Sequence, residues 1–377
     1  MNEITTLLQQ LVAIDSINPD LVVGGTGERE IAHFVANWLE QAGVEVTLDE
    51  PVPGRPSVIG IVRGTGGGRS LLLNAHMDTV GVAGMQRPHD PVVEGNRLYG
   101  RGAYDMKGGL AAAMIAAAQA KKLPLRGDVI LTAVADEEYA SIGTEAIVKQ
   151  WHADAAIVTE PTALRLCVAH RGFVWLEITT QGKAAHGGRP DLGCDAIVKM
   201  GHILVGLEQL DGSLRAVPSH HLLGSGSLHA SLIEGGQELS SYPESCTLQI
   251  ERRTIPGETS EQVETEIREL LGEIQRADPT FLASVKTTLV REPFEVAENT
   301  PIVQALSNQG EALLGSAPEI VGDPMWMDAA LLAAAGIPTV VFGPGGAGAH
   351  EIIEWSDLEQ VQQCSDVLLA TIQEFCV

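Results

Sequence analysis

The run Leu71-Leu72-Leu73-Asn74-Ala75-His76-Met77-Asp78 is the tightest constraint on how this chain folds. Three consecutive leucines need burial, yet the run stops at a histidine and an aspartate two residues apart. The same form recurs downstream. Asp128 to Ala135 is apolar in the main and leads into Asp136-Glu137-Glu138. Ala155 to Val158 leads into Glu160, and Pro338 to Phe342 into the Gly-rich stretch before His350. Between these runs lie segments of helix period. Ile4, Leu7, Leu8, Leu11 and Val12 make one stripe, and Ile31, Phe34, Val35, Trp38 and Leu39 another. Gly109 to Ala120, Gly143 to Gln150, Thr300 to Leu314, Ala329 to Ala335 and Ser356 to Phe375 also read as helices. Strands alternating with helices predict an α/β layered sheet covered on both faces. In such a fold the strand ends converge at one edge. An imidazole and several carboxylates brought to one edge predict a metal site, and with it a metallohydrolase.

From about Phe173 the pattern changes. Phe173 to Thr180, Leu222 to Ile233, Ser245 to Thr254 and Leu282 to Val290 read as strands, with helices at Cys194 to Leu210 and Ser260 to Arg276. This β-α-β-β-α-β order predicts a ferredoxin-like insert. After Arg291-Glu292-Pro293 the α/β pattern resumes. The expected domains are therefore a discontinuous 1–172 with 292–377, and an insert over 173–291. A length of 377 residues agrees with two domains.

Composition narrows the function classes. There are 24 Lys and Arg against 49 Asp and Glu, a net charge of −25. That balance opposes binding to phosphate backbones and to anionic membranes. Five scattered cysteines, with no Cys-x-x-Cys, argue against a disulfide framework and a thiolate metal site, and predict a reducing cytoplasm. Met1 to Leu11 carries Glu3 and lacks a basic region followed by a long apolar one, so no signal peptide is expected. No apolar window is long enough to span a bilayer; Leu110 to Ala120 is short and Ala-rich, as a buried helix is.

The candidate site residues have definite chemistry. His76 and Asp78 fall on one side of an extended segment, so Asp78 can accept the second ring N–H of a ligating His76. Asp105 stands in the Gly-bracketed loop Gly100-Arg101-Gly102-Ala103-Tyr104-Asp105-Met106-Lys107-Gly108-Gly109, where it either binds a metal or caps the following helix. Glu137 and Glu138 are adjacent carboxylates after a buried strand, which is costly without cations nearby. One can ligate while the other works as general base on an activated water.

With these motifs the chain resembles the M20 metallopeptidase clan, the group of acetylornithine deacetylase, succinyl-diaminopimelate desuccinylase, aminoacylase-1 and carboxypeptidase G2. The resemblance runs from Leu11-Val12-Ala13-Ile14-Asp15-Ser16-Ile17-Asn18-Pro19 to Gly343-Pro344-Gly345 and His350. Its most specific parts are Tyr99 to Gly109 and Gly182-Lys183-Ala184-Ala185-His186. It implies a phosphorylase/hydrolase-like catalytic domain of the zinc exopeptidase type, with an α+β lid and dimerisation insert. It implies a co-catalytic pair of Zn2+ ions, with Co2+ or Mn2+ as substitutes. His76 and Glu160 would bind one ion, Glu138 and His350 the other, and Asp105 would bridge, followed by a cis Asp105–Met106 bond. Asp78 would orient His76, and Glu137 would be the general base. His186 would stabilise the oxyanion, within its own chain or across a homodimer. Arg253 would grip a substrate carboxylate, and Ser240 and Gly345 would line the substrate site. The implied substrate is an N-acyl amino acid or a short peptide, so the activity is that of a deacylase, or else of a dipeptidase or glutamate-type carboxypeptidase. Two departures bear on substrate: Ser240 and Ser241 stand where many relatives carry Asn, and Tyr139 where Gly is common.

Other classes explain less. Gly343-x-Gly345-x-x-Gly348 matches a dinucleotide fingerprint, but Pro344 interrupts it and too little chain follows for the βαβ unit. The Gly64–Gly68 turn lacks the Lys-Ser/Thr of a P-loop. A scaffold that had lost activity would be expected to lack Glu137 or a ligand, and all are present.

Overall fold

The computed structural model describes residues 2–377. The chain forms two compact units. One runs up to Val168 and takes in Val296–Val321 and Met327–Val377; the other is Ala169–Glu295 with Gly322–Trp326.

The first unit is built on a mixed sheet. Its strands lie in the order Glu45–Val52, Arg55–Val62, Val129–Val134, Leu71–His76, Ala155–Val158, Thr339–Val341 and Leu166–His170, the last leading into the second unit. The four from Val129–Val134 to Thr339–Val341 are parallel neighbours. The two outer strands form an antiparallel hairpin with Val52 opposite Arg55. Every residue of Leu71–His76 and of Val129–Val134 is buried, which explains their unbroken apolar runs: helices cover both faces. The most buried of these helices is Gly108–Ala120, whose alanines allow it to pack closely against Glu3–Ala13 and Leu358–Phe375.

A second, small sheet was not expected. Its order is Gly346–Ala347, Trp355–Asp357, Arg97–Tyr99 and Val92–Glu94. Trp355 pairs with Tyr99 and Ser356 with Leu98. The expected helix from Ser356 therefore begins later, at Leu358, where the Asp357 side chain accepts from the N–H groups of Glu359 and Gln360.

The second unit has the order Ser227–Gly235, Ser245–Thr254, Gly172–Gln181 and Leu282–Arg291, all neighbours antiparallel. Numbered along the insert this is 2-3-1-4, the split β-α-β arrangement of ferredoxin-like folds. Helices Ala196–Ala216 and Ser260–Ala277 pack on the sheet through Met200, Ile203, Leu207, Val263, Ile267 and Leu271. Among the described residues, no helix is long and apolar enough to cross a membrane.

One close approach positions the functional edge of the first unit. A Cβ at Gly109 would lie 1.9 Å from the Thr159 carbonyl oxygen, and one at Gly343 would lie 2.2 Å from that of Glu160. Both glycines thus let neighbouring segments press onto the end of Ala155–Val158. Gly212, by contrast, is exposed in a helix and has nothing within 4 Å of its Cβ position. Gly109→Ala is expected to destabilise the protein by about 1–3 kcal/mol through overpacking. Gly212→Ala is expected to stabilise it by about 0.4–1 kcal/mol. Urea unfolding of the two variants checks the contrast; equal effects would contradict the close packing at Gly109.

Candidate metal centre

The carboxyl ends of three adjacent parallel strands deliver most of the candidate residues. His76 ends Leu71–His76, Glu137 and Glu138 follow Val129–Val134, and Glu160 follows Ala155–Val158. The registers, His76 opposite Val134 and Asn74 opposite Val158, place these ends side by side. Asp105 and His350 arrive differently, from the small sheet. Asp105 follows Arg97–Tyr99, and His350 lies between Gly346–Ala347 and Trp355–Asp357. Pairing of those strands brings together residues far apart in the chain.

Asp105 does not cap the next helix: that helix has Lys107 at its N-cap, with no side-chain cap bond. Asp105 lies instead in a five-residue π-turn, Ala103–Lys107, and its bond to Met106 is cis. Glu354 holds this turn. Its Oε1 accepts from the N–H groups of Tyr104 (3.0 Å) and Asp105 (3.1 Å), and its Oε2 from Gly102 N–H (3.0 Å) and Arg101 Nη1 (2.6 Å).

The two oxygens of Asp105 face two histidines. Oδ1 is 3.1 Å from His76 Nε2, and Oδ2 is 3.4 Å from His350 Nε2. Each histidine has a second carboxylate beside it: Glu160 Oε1 is 3.5 Å from His76 Nε2, and Glu138 Oε2 is 3.0 Å from His350 Nε2. Ligand atoms of His76, Asp105 and Glu138 lie within 4.8 Å of one another, as do those of His76, Glu137 and Glu160.

The ring of His76 is oriented from behind. Its Nδ1 is 3.0 Å from the main-chain carbonyl of Asp78 and 3.5 Å from that residue's Oδ1. A carbonyl only accepts, so the neutral ring carries its hydrogen on Nδ1 and presents the Nε2 lone pair to the site. The Asp78 carboxylate is occupied chiefly elsewhere. It accepts from Asn18 Nδ2 (2.8 Å) and from the N–H groups of Glu137 (3.1 Å) and Glu138 (3.2 Å). It therefore sets the direction of the Glu137–Glu138 turn as well as that of His76.

Electrostatics test whether a metal suits these residues. Burial pushes the carboxyls of Glu137 and Glu160 well above the usual range, and nearby carboxylates add to the effect. Glu138 is pushed up to about 7, by burial and then by the charge of Asp105. For His76, burial opposes the charge, but Glu160, Asp105 and Asp78 outweigh it and hold the imidazole well above its ordinary value. Hydrogen bonds to Asp105 and Glu138 raise His350 to about 10. Burial would also raise Asp105, yet both histidines hold it well below the ordinary range. The cluster thus borrows protons to offset its own negative charge. Glu138 Oε1 is buried without a hydrogen-bond partner. Divalent cations would replace the borrowed protons and satisfy that oxygen, so the donor set suits a pair of them.

The remaining candidates fall elsewhere. Gly345 is buried in the first unit, where a Cβ would lie 2.4 Å from Gln360 Oε1. His186, Ser240 and Arg253 belong to the second unit. His186 is exposed, and its Nδ1 accepts from Gly188 N–H at 3.0 Å, which places the ring hydrogen on Nε2. The Ser240 carbonyl accepts from Gly187 N–H (2.7 Å). Arg253 donates from Nε to Glu251 Oε1 (2.6 Å), with its guanidinium 5.1 Å from the Phe173 ring centre.

A third group, His220, His221 and Glu295, also has ligand atoms within 4.8 Å. There His220 Nδ1 accepts from Leu222 and Leu223 N–H, so its Nε2 carries the hydrogen and donates to Glu295. That tautomer has no lone pair left for a metal. Sequence reasoning overlooked Asn18, Asp136, Arg55 and Glu354. Asn18 lies in the Ser16–Pro19 stretch and Asp136 directly before the glutamate pair, so those two had a positional signal. Glu354 had none.

Comparison with known proteins agrees with this architecture. Residues 72–374 match the model of Peptidase family M20/M25/M40. The chain is 30% identical to acetylornithine deacetylase of Myxococcus xanthus, the alignment covering 98% of this chain and 96% of that one. It is 29% identical to N-formyl-4-amino-5-aminomethyl-2-methylpyrimidine deformylase of Bacillus subtilis (strain 168), over 92% and 89%. Its fold is similar to that of aminopeptidase PepT from Bacillus cereus ATCC 10987, with a TM-score of 0.81, 20% identity, and 99% and 98% of the chains covered. With the family model spanning most of its length, this chain belongs to the M20/M25/M40 peptidase family.

Proposed function

We propose that the protein hydrolyses the amide bond of a small N-acyl amino acid, using two metal ions held in the first unit. The observation that carries this is the division of Asp105: one oxygen faces His76 with Glu160 beside it, the other faces His350 with Glu138 beside it. His76 and Glu160 would hold one ion, Glu138 and His350 the other, and Asp105 both. Zn2+ suits such nitrogen and carboxylate donors, and Co2+ or Mn2+ would substitute. When bound, the ions supply Lewis acidity toward the carbonyl and make water acidic enough to ionise near neutral pH.

The protein's own groups do the rest. Glu137, adjacent to His76 and Glu160, takes the proton of the attacking water and passes it to the leaving nitrogen. His186 has an exposed Nε2–H suited to donating to the developing oxyanion. Arg253 has its Nε committed to Glu251, which leaves the terminal nitrogens to grip a substrate carboxylate. Ser240, tied to the His186 loop, and the main chain at Gly345 complete the proposed substrate contacts. The deacetylase and deformylase relatives are both named for removing short acyl groups from nitrogen, which supports a short acyl group here too.

The insert supports a further proposal, a homodimer formed through it. Ser227–Gly235 is an edge strand, and it exposes Leu232 (66%) and Ile233 (55%). The adjoining helix Ala196–Ala216 exposes Ile197, Val198, Leu204 and Val205. An open, apolar edge is a hazard that a second copy of the chain would cover. The five cysteines, all free, support a cytoplasmic setting.

Three outcomes are expected. The first concerns hydrolysis of a panel of N-acetyl and N-formyl amino acids, N-succinyl compounds and dipeptides. Activity should be lost with a chelator and restored by Zn2+. Glu137→Gln should lower kcat by about 10²–10⁴ while keeping the bound metal. His186→Ala should lower kcat by about 10²–10³ with little change in KM. Amide hydrolysis indifferent to chelation would sink the proposal.

The second concerns protons. His350 at about 10 and Glu138 at about 7 must both lose protons to ligate. Metal uptake near neutral pH should therefore release protons. Apparent affinity should rise with pH by about tenfold per unit for each proton displaced, until His350 titrates. Calorimetry in buffers of different ionisation enthalpy reads this directly; uptake without proton release would contradict the ligand assignment.

The third concerns assembly. Leu232→Asp combined with Ile233→Asp should yield a folded monomer by analytical ultracentrifugation where the parent protein is a dimer. A monomeric parent would end the dimer proposal.

A further inference from the structure

Behind the metal centre lies a buried chain of polar contacts that no catalytic role explains. It starts at Arg55, the first residue of Arg55–Val62 and only 5% exposed. Arg55 Nη2 donates to Glu28 Oε1 (2.7 Å) and to Asp136 Oδ1 (2.9 Å), and Arg55 also pairs with Asp20. Glu28 and Asp136 are fully buried. Asn18 forms the next link. Its Nδ2 donates both to Asp136 Oδ1 (2.8 Å) and to Asp78 Oδ2 (2.8 Å). Its Oδ1 accepts from the N–H groups of Asp20 (3.0 Å) and Leu21 (3.2 Å), which fixes the orientation of the amide. Asp78 completes the path to His76, Glu137 and Glu138.

Sheet register explains why Arg55 reaches this place. The antiparallel ladder ends at Val58 with Ala133, and beyond that end the Arg55 side chain reaches the Asp136 carboxylate. Asp136 is held by Arg55 and Asn18 at its carboxylate and by Glu28 Oε1 at its main-chain N–H (3.2 Å). Its φ of 70° is one that a non-glycine residue adopts at a cost. Glu137 and Glu138 follow at once, so the direction of both depends on how firmly Asp136 is held. A buried ion network adds little net stability, so stability alone is a weak account of this one.

We infer that Arg55 is a positioning residue for the metal centre: through Asp136 and Asn18 it holds Asp78 and the Glu137–Glu138 turn in the geometry that ligation requires. Arg55 makes these contacts with a planar fork of donors, and a lysine at the same place supplies the charge without the fork.

Zn2+ titration of the metal-free full-length protein by calorimetry tests this, paired with urea unfolding of the same metal-free samples. Arg55→Lys is expected to bind Zn2+ about 10–100-fold more weakly, the range seen when supporting residues of metal sites are replaced. Its kcat should fall with KM within about twofold, since Arg55 touches no substrate. Asp136→Asn should weaken Zn2+ binding in the same direction, and it carries the test should Arg55→Lys fail to fold. Because both act along one path, the double variant should lose no more affinity than the worse single variant. A purely structural Arg55 would lower the unfolding midpoint and leave Zn2+ affinity within twofold; that result, or losses that multiply in the double variant, would overturn the inference. It rests on the proposed metal site, and the two fail differently. Parent protein that takes up no Zn2+ would sink the site itself, whereas equal uptake by parent and Arg55→Lys would sink only the role of Arg55.

Discussion

The first unit is organised around a charge problem. Asp78, Asp105, Glu137, Glu138 and Glu160 crowd two imidazoles at one sheet edge, and Asp78, His76 and Glu160 are almost wholly buried. Such carboxylates cannot all stay ionised in a dry site without cations. Burial and neighbouring charge push Glu137, Glu138 and Glu160 upward, and the carboxylates hold both histidines above their ordinary value, so protonation offsets part of the negative charge. Metal ions would supply the same compensation with fixed geometry. The acidity that looks like a fault in the protein alone thus becomes the driving force for binding.

This also explains why two sheets are needed. The large sheet fixes His76, Glu160 and the glutamate pair on neighbouring parallel strands, whose spacing the ladder sets. Parallel strands alone would present their ends in a row. Asp105 and His350 have to approach from outside that row to complete two ligand groups, and the small sheet delivers both. Glu354 stiffens the Asp105 turn by accepting from three of its N–H groups, and Arg101 offsets the buried charge of Glu354.

Much of this was legible in the sequence, and the reason is burial. Strands buried on both faces read as unbroken apolar runs, and each run led to a candidate residue that the fold brings to the same sheet edge, as Leu71-Leu72-Leu73 did to His76. The insert was legible through the order of its elements, and its strand pairing follows that order. The small sheet was not. Its strands are two or three residues long, too short for any period to show, and the pairing that joins its halves, Trp355 with Tyr99, spans most of the chain. Arg55 was hidden for a related reason. A single arginine opening an apolar strand looks like a surface residue, and only the pairing of Arg55–Val62 with Val129–Val134 brings it beside Asp136.

The same logic separates the candidate metal residues from those proposed to meet the substrate. A buried candidate ligand such as His76 is specified from several sides: by Asp78 at Nδ1, by Asp105 and Glu160 at Nε2, and by the strand that carries it. Few other residues satisfy so many neighbours at once, so a buried polar centre of this kind leaves a strong mark on the sequence. His186, Ser240 and Tyr139 are exposed; His186 bonds within its own loop, and the Ser240 carbonyl bonds to that same surface loop. Such positions admit many side chains without disturbing the fold. Under the proposed assignment, substrate choice is therefore written where packing constrains the sequence least.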